Sequence, residues 1–183
     1  QMPNAGYDDA MEYVRDGMTL CNGKSIHDDS TAELAVGLTI ASLRGFPDFI
    51  RNQDKSDWVH VKNKSINDRK IGIIGFGSIG TTIAKMLSGF TVEIIAFTQS
   101  GRDNTIAITD LDKHLPTLDV VILILPLTKE SKHLFDAKRL SLMKDGALLV
   151  NVARGPIVAT DALVKELNSG RITAALDVTD PEP

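Results

Sequence analysis

The sequence predicts an α/β fold, a doubly wound parallel sheet of the Rossmann type with helices on both faces. Three observations carry that prediction. From residue 71 onward, short apolar runs alternate with segments of helical periodicity, the pattern of strands joined by right-handed helical crossovers. One run, residues 120–125, is apolar without interruption, as a strand covered on both faces must be. The stretch Gly75-Phe76-Gly77-Ser78-Ile79-Gly80 follows a predicted strand and opens a predicted helix.

Taken in order, residues 18–21 form a short apolar run that reads as a strand. Ser30-Thr31-Ala32-Glu33 reads as a capping box. The helix it opens carries Leu34, Leu38, Ala41 and Leu43, spread widely enough to be mostly buried, and Pro47 marks its end region. Residues 51–70 are polar and read as a surface connector with Trp58 as its one large apolar anchor. Strands are then predicted at 71–75, 92–97, 106–108, 120–125, 147–152 and 172–178. Between them Ile79, Ile83, Ala84 and Leu87 share one helical face, and residues 136–143 and 160–168 read as helices.

The 183 residues suffice for one such domain with a sizeable core and are few for two. A formal net charge of −4 and 5% aromatic residues give neither the field nor the stacking surface for nucleic acid, and no basic patch for an anionic membrane. No apolar run approaches the ~20 residues of a membrane span. Cys21 is the only cysteine, so no internal disulfide forms, which fits a reducing cytoplasm. The first residues lack the pattern of a signal peptide, and the chain does not begin with Met, so a fragment or a processed chain is expected. No metal site is expected.

The glycine stretch has a physical reading. Gly75 permits the tight turn, Gly77 lets backbone approach a pyrophosphate, and Gly80 lets helix and strand pack closely. The helix N-terminus then presents free N–H groups and a positive dipole end to the anion. An NAD site usually carries an acidic residue ~20 positions on, bonded to the ribose 2′-hydroxyl. That place here reads Phe97-Thr98-Gln99-Ser100-Gly101-Arg102, with no carboxylate. Thr98, Ser100 and Arg102 offer donors to a 2′-phosphate instead, Arg102 through its forked guanidinium. The cofactor expected is NAD(P), leaning to NADP.

Three further segments fall at predicted strand ends: Leu125-Pro126-Leu127-Thr128, Asn151-Val152-Ala153-Arg154-Gly155 and Leu176-Asp177-Val178. Their order and wording, from Ala5-Gly6-Tyr7-Asp8 through Thr31-Ala32-Glu33 to Asp177-Val178-Thr179-Asp180-Pro181-Glu182-Pro183, resemble the D-isomer-specific 2-hydroxyacid dehydrogenases. The resemblance implies a small 2-keto or 2-hydroxy acid substrate such as phosphoglycerate, glyoxylate or hydroxypyruvate. It implies that Arg154 holds the substrate carboxylate and polarises the keto oxygen, that Asp177 orients the nicotinamide carboxamide, and that Glu182 pairs with the catalytic histidine. It places Leu125, Pro126, Thr128, Val152 and Ala153 against the cofactor. The family's histidine lies beyond the position where this sequence ends, and His27, His60, His114 and His133 match no such motif; all four read as structural or solvated. The resemblance also assigns residues 1–28 to the end of the first half of a separate substrate domain, with 29–183 as the dinucleotide domain. It implies a homodimer formed through this domain along the helix from Thr31. A dinucleotide-sensing corepressor of the same fold is the alternative reading; a partner-binding surface would distinguish it, and the sequence displays none.

Overall fold

The computed structural model describes Gly6 and residues 8–182. Of the first segment of the family resemblance, Ala5 and Tyr7 lie outside the described residues, as does Pro183 at the other end. Among the described residues six strands form one parallel sheet: β1 (Arg69–Ile74), β2 (Val92–Thr98), β3 (Ile106–Ala107), β4 (Val120–Leu123), β5 (Leu148–Asn151) and β6 (Thr173–Leu176). Their order is β3-β2-β1-β4-β5-β6. The chain winds outward from β1 to β3, then returns to lay β4 on the other side of β1. At that reversal the loops leaving β1 and β4 diverge and open a crevice at the C-terminal strand ends.

Alternation along each strand builds two cores, one per face. Ile71 and Ile73 of β1, Val120 and Ile122 of β4, and Leu148 and Val150 of β5 face one way. They pack against α1 (Asp28–Leu43) and α3 (Ser78–Leu87). Ile74, Val121, Leu123 and Leu149 face the other way, onto α4 (Leu111–His114), α5 (Ala137–Leu142) and α6 (Thr160–Asn168). All ten of these strand side chains are at most 1% exposed, and each such burial contributes roughly 1.5–3 kcal/mol. Residue 72 of β1 is a glycine because Leu118 fills the space where a side chain would stand.

The sequence-derived strands agree with the observed ones to within a few residues at each end, and Thr160–Asn168 is a helix as expected. Several expectations for the first third of the chain are corrected. Residues 18–21 are not a strand: they have no neighbouring strand to pair with, and Met18 is 60% exposed. Ser30-Thr31-Ala32-Glu33 is not a capping box. α1 starts three residues earlier, with Asp28 and Asp29 in its first turn, and the Ser30 hydroxyl donates to the His27 carbonyl at 3.2 Å. Acidic residues in the first turn answer the positive end of the helix without a side-chain cap. The buried stripe of α1 is Ala32, Ala35, Thr39 and Leu43, whereas Leu34 is 41% exposed. Small residues line that stripe because α1 lies directly against α3. Pro47 does not end α1; it occupies the first turn of α2 (Phe46–Asp54), which extends into the supposed connector. Trp58 is 95% exposed and anchors nothing among the described residues.

Candidate active site

The glycine turn occupies the centre of the sheet edge. Gly75 has a φ of +106°, and a Cβ there would collide with the carbonyl of Ile124 at the end of β4. Gly80 lies one helical turn further on, where a Cβ would collide with the Gly75 carbonyl and meet Ile73 Cγ2 at 3.4 Å. Those two contacts pull the start of α3 tightly over β1. Gly77 differs: a Cβ there would meet nothing within 4 Å. It is the N-cap of α3 and supplies no side-chain cap, so the first N–H groups of the helix face the crevice over an open backbone. An anion with several acceptor oxygens fits that cradle, as the pyrophosphate of a dinucleotide does.

The crevice has a volume of about 620 Å³. Gly77, Ser78, Ile79 and Gly80 line one wall. Leu125 and Pro126, after β4, also line it, as do Val152, Ala153, Arg154 and Asp177. The structure thus brings the glycine turn and Arg154 to one cavity on one rim of the sheet.

Arg154 is held by a small buried network. Asn151, 1% exposed at the end of β5, donates from Nδ2 to the Arg154 carbonyl at 3.0 Å and accepts from the Ala153 N–H at 3.1 Å. The guanidinium donates from Nη1 to the Ala153 carbonyl at 2.8 Å. The next residue must be glycine, since a Cβ on Gly155 would overlap the carbonyl of Thr179. The turn bearing Arg154 therefore rests directly on the segment that follows Asp177, whose N–H donates to the Asn151 carbonyl at 3.0 Å.

Other expected site residues lie elsewhere. Gly75 shapes the turn from beneath, and Phe76 packs against the α1–α3 core. Thr128 is exposed, and its hydroxyl accepts from the Ser131 N–H at 3.2 Å. Glu182 is exposed in the terminal segment and does not line the crevice. The loop after β2 is closed on itself. The Thr105 hydroxyl donates to the Arg102 carbonyl, and the Thr98 and Thr105 hydroxyls share a hydrogen bond at 2.6 Å in which either can be the donor. The Thr98 oxygen also accepts from the Gly101 N–H at 3.1 Å. Thr98 therefore braces the loop from inside, at the end of β2. Gln99, Ser100 and Arg102 are exposed on the loop, and Arg102 Nε lies 4.0 Å from Asp103.

Sequence reasoning missed one wall altogether. Asn22, Lys24, His27, Ser30 and Thr31, in and around the start of α1, line the crevice together with the glycine turn. No local pattern reveals this, because the two segments lie some fifty residues apart in the chain. Asn151 is a second residue so missed; the signal for it is a polar side chain ending an otherwise apolar strand. Among the described residues no group of acidic, histidine and cysteine side chains is arranged to hold a metal ion. None of the helices among them is long and apolar enough to cross a membrane.

Far from the crevice, at the opposite end of β4, Asp119 anchors a charge cluster. Burial pushes its pKa up, but the Lys144 ammonium at 2.7 Å, the Lys70 N–H and Arg69 outweigh burial and hold it below the ordinary value.

A strand order reversing at β1, a glycine turn with one open face and a helix N-terminus aimed into the crevice define a dinucleotide-binding domain. Residues 36–183 match the model of the D-isomer specific 2-hydroxyacid dehydrogenase NAD binding domain, and the chain belongs to that family. It is 36% identical over 195 residues to a glyoxylate reductase of Pyrococcus horikoshii, covering 97% of this chain and 58% of that protein. Its fold is similar to that of a D-lactate dehydrogenase from Aquifex aeolicus complexed with NAD and lactic acid. That comparison has a TM-score of 0.88 and 27% identity, over 97% of this chain and 56% of the other. A D-isomer specific 2-hydroxyacid dehydrogenase from Xanthobacter autotrophicus Py2, in complex with NADPH and MES, superposes with a TM-score of 0.84 at 28% identity, over 98% and 60%. The chain thus spans well under two thirds of the length of these proteins.

Proposed function

We propose that this chain is the cofactor-binding part of a longer dehydrogenase that acts on a small 2-hydroxy or 2-keto acid such as glyoxylate. One observation carries the reading: the glycine turn and Arg154 line the same crevice, one at the pyrophosphate end and one at the reactive end. When bound, the dinucleotide supplies the hydride. The α3 N-terminus holds its pyrophosphate, and Gly77 allows the close approach. Asp177 faces the carboxamide. Arg154, oriented by Asn151, grips the substrate carboxylate with its fork and stabilises negative charge on the oxygen. Glu182 lies outside the crevice, so in this proposal it acts on a histidine contributed by another part of the enzyme. Residues 1–28 belong to the substrate domain and 29–183 to the cofactor domain.

The cofactor is NADPH in preference to NADH. The loop after β2 lacks the carboxylate that would repel a 2′-phosphate, and Ser100 and Arg102 stand exposed on it. Thr98, hydrogen-bonded within the loop, holds it in shape beside them. Two copies associate through this domain. Leu34 on α1, Phe46, Phe49 and Ile50 on α2, and Trp58 remain exposed, an apolar surface that a second copy would cover. Partners of other kinds, nucleic acid and membrane, are not proposed.

Fluorescence titration with NADH and NADPH separately tests the cofactor assignment, and tighter NADH binding overturns it. With the dinucleotide bound, this chain alone is expected to reduce glyoxylate at no measurable steady-state rate; turnover would overturn the division of the site between this chain and the rest of the enzyme.

A further inference from the structure

Two helices begin at the rim of the crevice. α3 starts at Ser78, directly after the glycine turn, and α1 starts at Asp28, which does not itself line the crevice but lies behind Ser78, between His27 and Ser30, which do. Neither N-cap residue, Gly77 or His27, caps its helix through a side chain. The first residues of the two helices meet: the Ser78 hydroxyl donates to Asp28 Oδ1 at 3.3 Å, and both residues are partly buried. Asp28 is therefore an anion held where two positive helix ends converge.

A carboxylate in this position engages the groups that a pyrophosphate needs. It occupies the single hydroxyl hydrogen of Ser78, which Ser78 can give to Asp28 or to a phosphate oxygen but not to both. It also places a like charge one side chain away from the entering anion, in a partly screened setting. Asp29, the next residue, is exposed and contributes only to the field of α1. The other charged group near this wall is Lys24, which lines the crevice itself, as does His27. Arg154 lines the same cavity.

We propose that Asp28 is a built-in competitor of the dinucleotide pyrophosphate for the start of α3, and that it sets how tightly the cofactor is held and how fast it leaves. It is a positioning residue, touching no reacting atom. The inference rests on the dinucleotide reading of the glycine turn. It adds that the segment entering α1 opposes binding electrostatically while stabilising the empty domain.

The test compares the wild-type chain with D28N, D28S, S78A and D28N/S78A. Dissociation constants are measured for NADH, for ADP as a probe that keeps the pyrophosphate, and for adenosine as one that lacks it; melting is followed without ligand. Removing the charge is expected to tighten ADP and NADH by about fivefold and slow NADH release to match, leaving adenosine unchanged. The ligand-free melting temperature should fall at the same time, because α1 loses the charge at its N-terminus. A merely structural role would weaken melting and binding together. In the S78A background the D28N gain should shrink, since the contest for the hydroxyl is gone. Unchanged or weaker ADP binding in both D28N and D28S, or an equal gain for adenosine, overturns the proposal. Failure of the wild-type chain to bind ADP or NADH at all overturns the dinucleotide reading beneath it, a separate result.

Discussion

Replacing Gly80 by alanine should damage stability and cofactor binding together, and the geometry gives the size of both effects. The new Cβ would lie well inside contact distance of the Gly75 carbonyl oxygen and 3.4 Å from Ile73 Cγ2. Neither the carbonyl nor the packed isoleucine can turn away, so the start of α3 must lift by about an ångström to restore a contact near 3.5 Å. Overpacking of this kind costs about 1–3 kcal/mol, which for a domain of this size lowers Tm by roughly 3–10 °C. The same lift carries the first N–H groups of α3 out of hydrogen-bonding range of a pyrophosphate. Losing one charge-assisted bond, about 1.5–3 kcal/mol, weakens NAD(P)H by roughly 10- to 100-fold. Gly77→Ala supplies the contrast. Its Cβ meets nothing within 4 Å, so Tm should change by no more than about 3 °C, yet the methyl enters the space the pyrophosphate would fill. Scanning calorimetry and fluorescence titration on both variants separate the two effects. A Gly77→Ala protein that binds NADH and NADPH like wild type would refute the assignment of this cradle to the pyrophosphate.

Three further outcomes are expected. In the full-length enzyme Arg154→Gln should lower kcat/KM by at least about a hundredfold while leaving the dinucleotide Kd nearly unchanged, and Arg154→Lys should restore little because an ammonium cannot fork onto a carboxylate. Asn151→Ala leaves the Ala153 N–H and the Arg154 carbonyl without their buried partner, a loss of about 1–3 kcal/mol, visible as a lower denaturation midpoint at unchanged m-value. Asp119 has a lower pKa folded than its ordinary 3.8, so its contribution to stability is complete above that value and vanishes as pH falls through the folded one. Wild type should therefore exceed Asp119→Asn in Tm at neutral pH, with the gap narrowing as pH falls below the ordinary carboxylate value and on through the folded one; a gap that stays constant on acidification contradicts this.

The parts of this molecule legible in its sequence are those whose cause is local. The alternation of Ile71, Ile73 and Ile74, and the unbroken run from Val120 to Leu123, report directly on strands covered on both sides. The spacing of Gly75, Gly77 and Gly80 reports on a turn followed by a helix. What could not be read depends on which distant groups meet. Ser30 and Glu33 have the spacing of a capping box, but Asp28 and Asp29 start the helix earlier, and Asp28 meets Ser78 fifty residues away. Trp58 looked like an anchor because tryptophan is usually buried; its direction is set by what lies beside it, and no described residue covers it. The contact of Thr98 with Thr105, seven residues on, likewise depends on how the loop folds back and leaves no local pattern. The wall formed by Asn22, Lys24 and His27 was invisible for the same reason as the Asp28–Ser78 contact.

On the function proposed above, the overlap that forbids a side chain at Gly155 has a consequence for how such an enzyme would change its substrate. The turn presenting the guanidinium and the stretch presenting Asp177 are in backbone contact, so neither can be re-aimed alone. A reach tuned to a longer or bulkier acid cannot come from shifting this rim. It must come from groups brought toward the guanidinium from across the crevice, leaving one side of the pocket fixed while the opposite side varies.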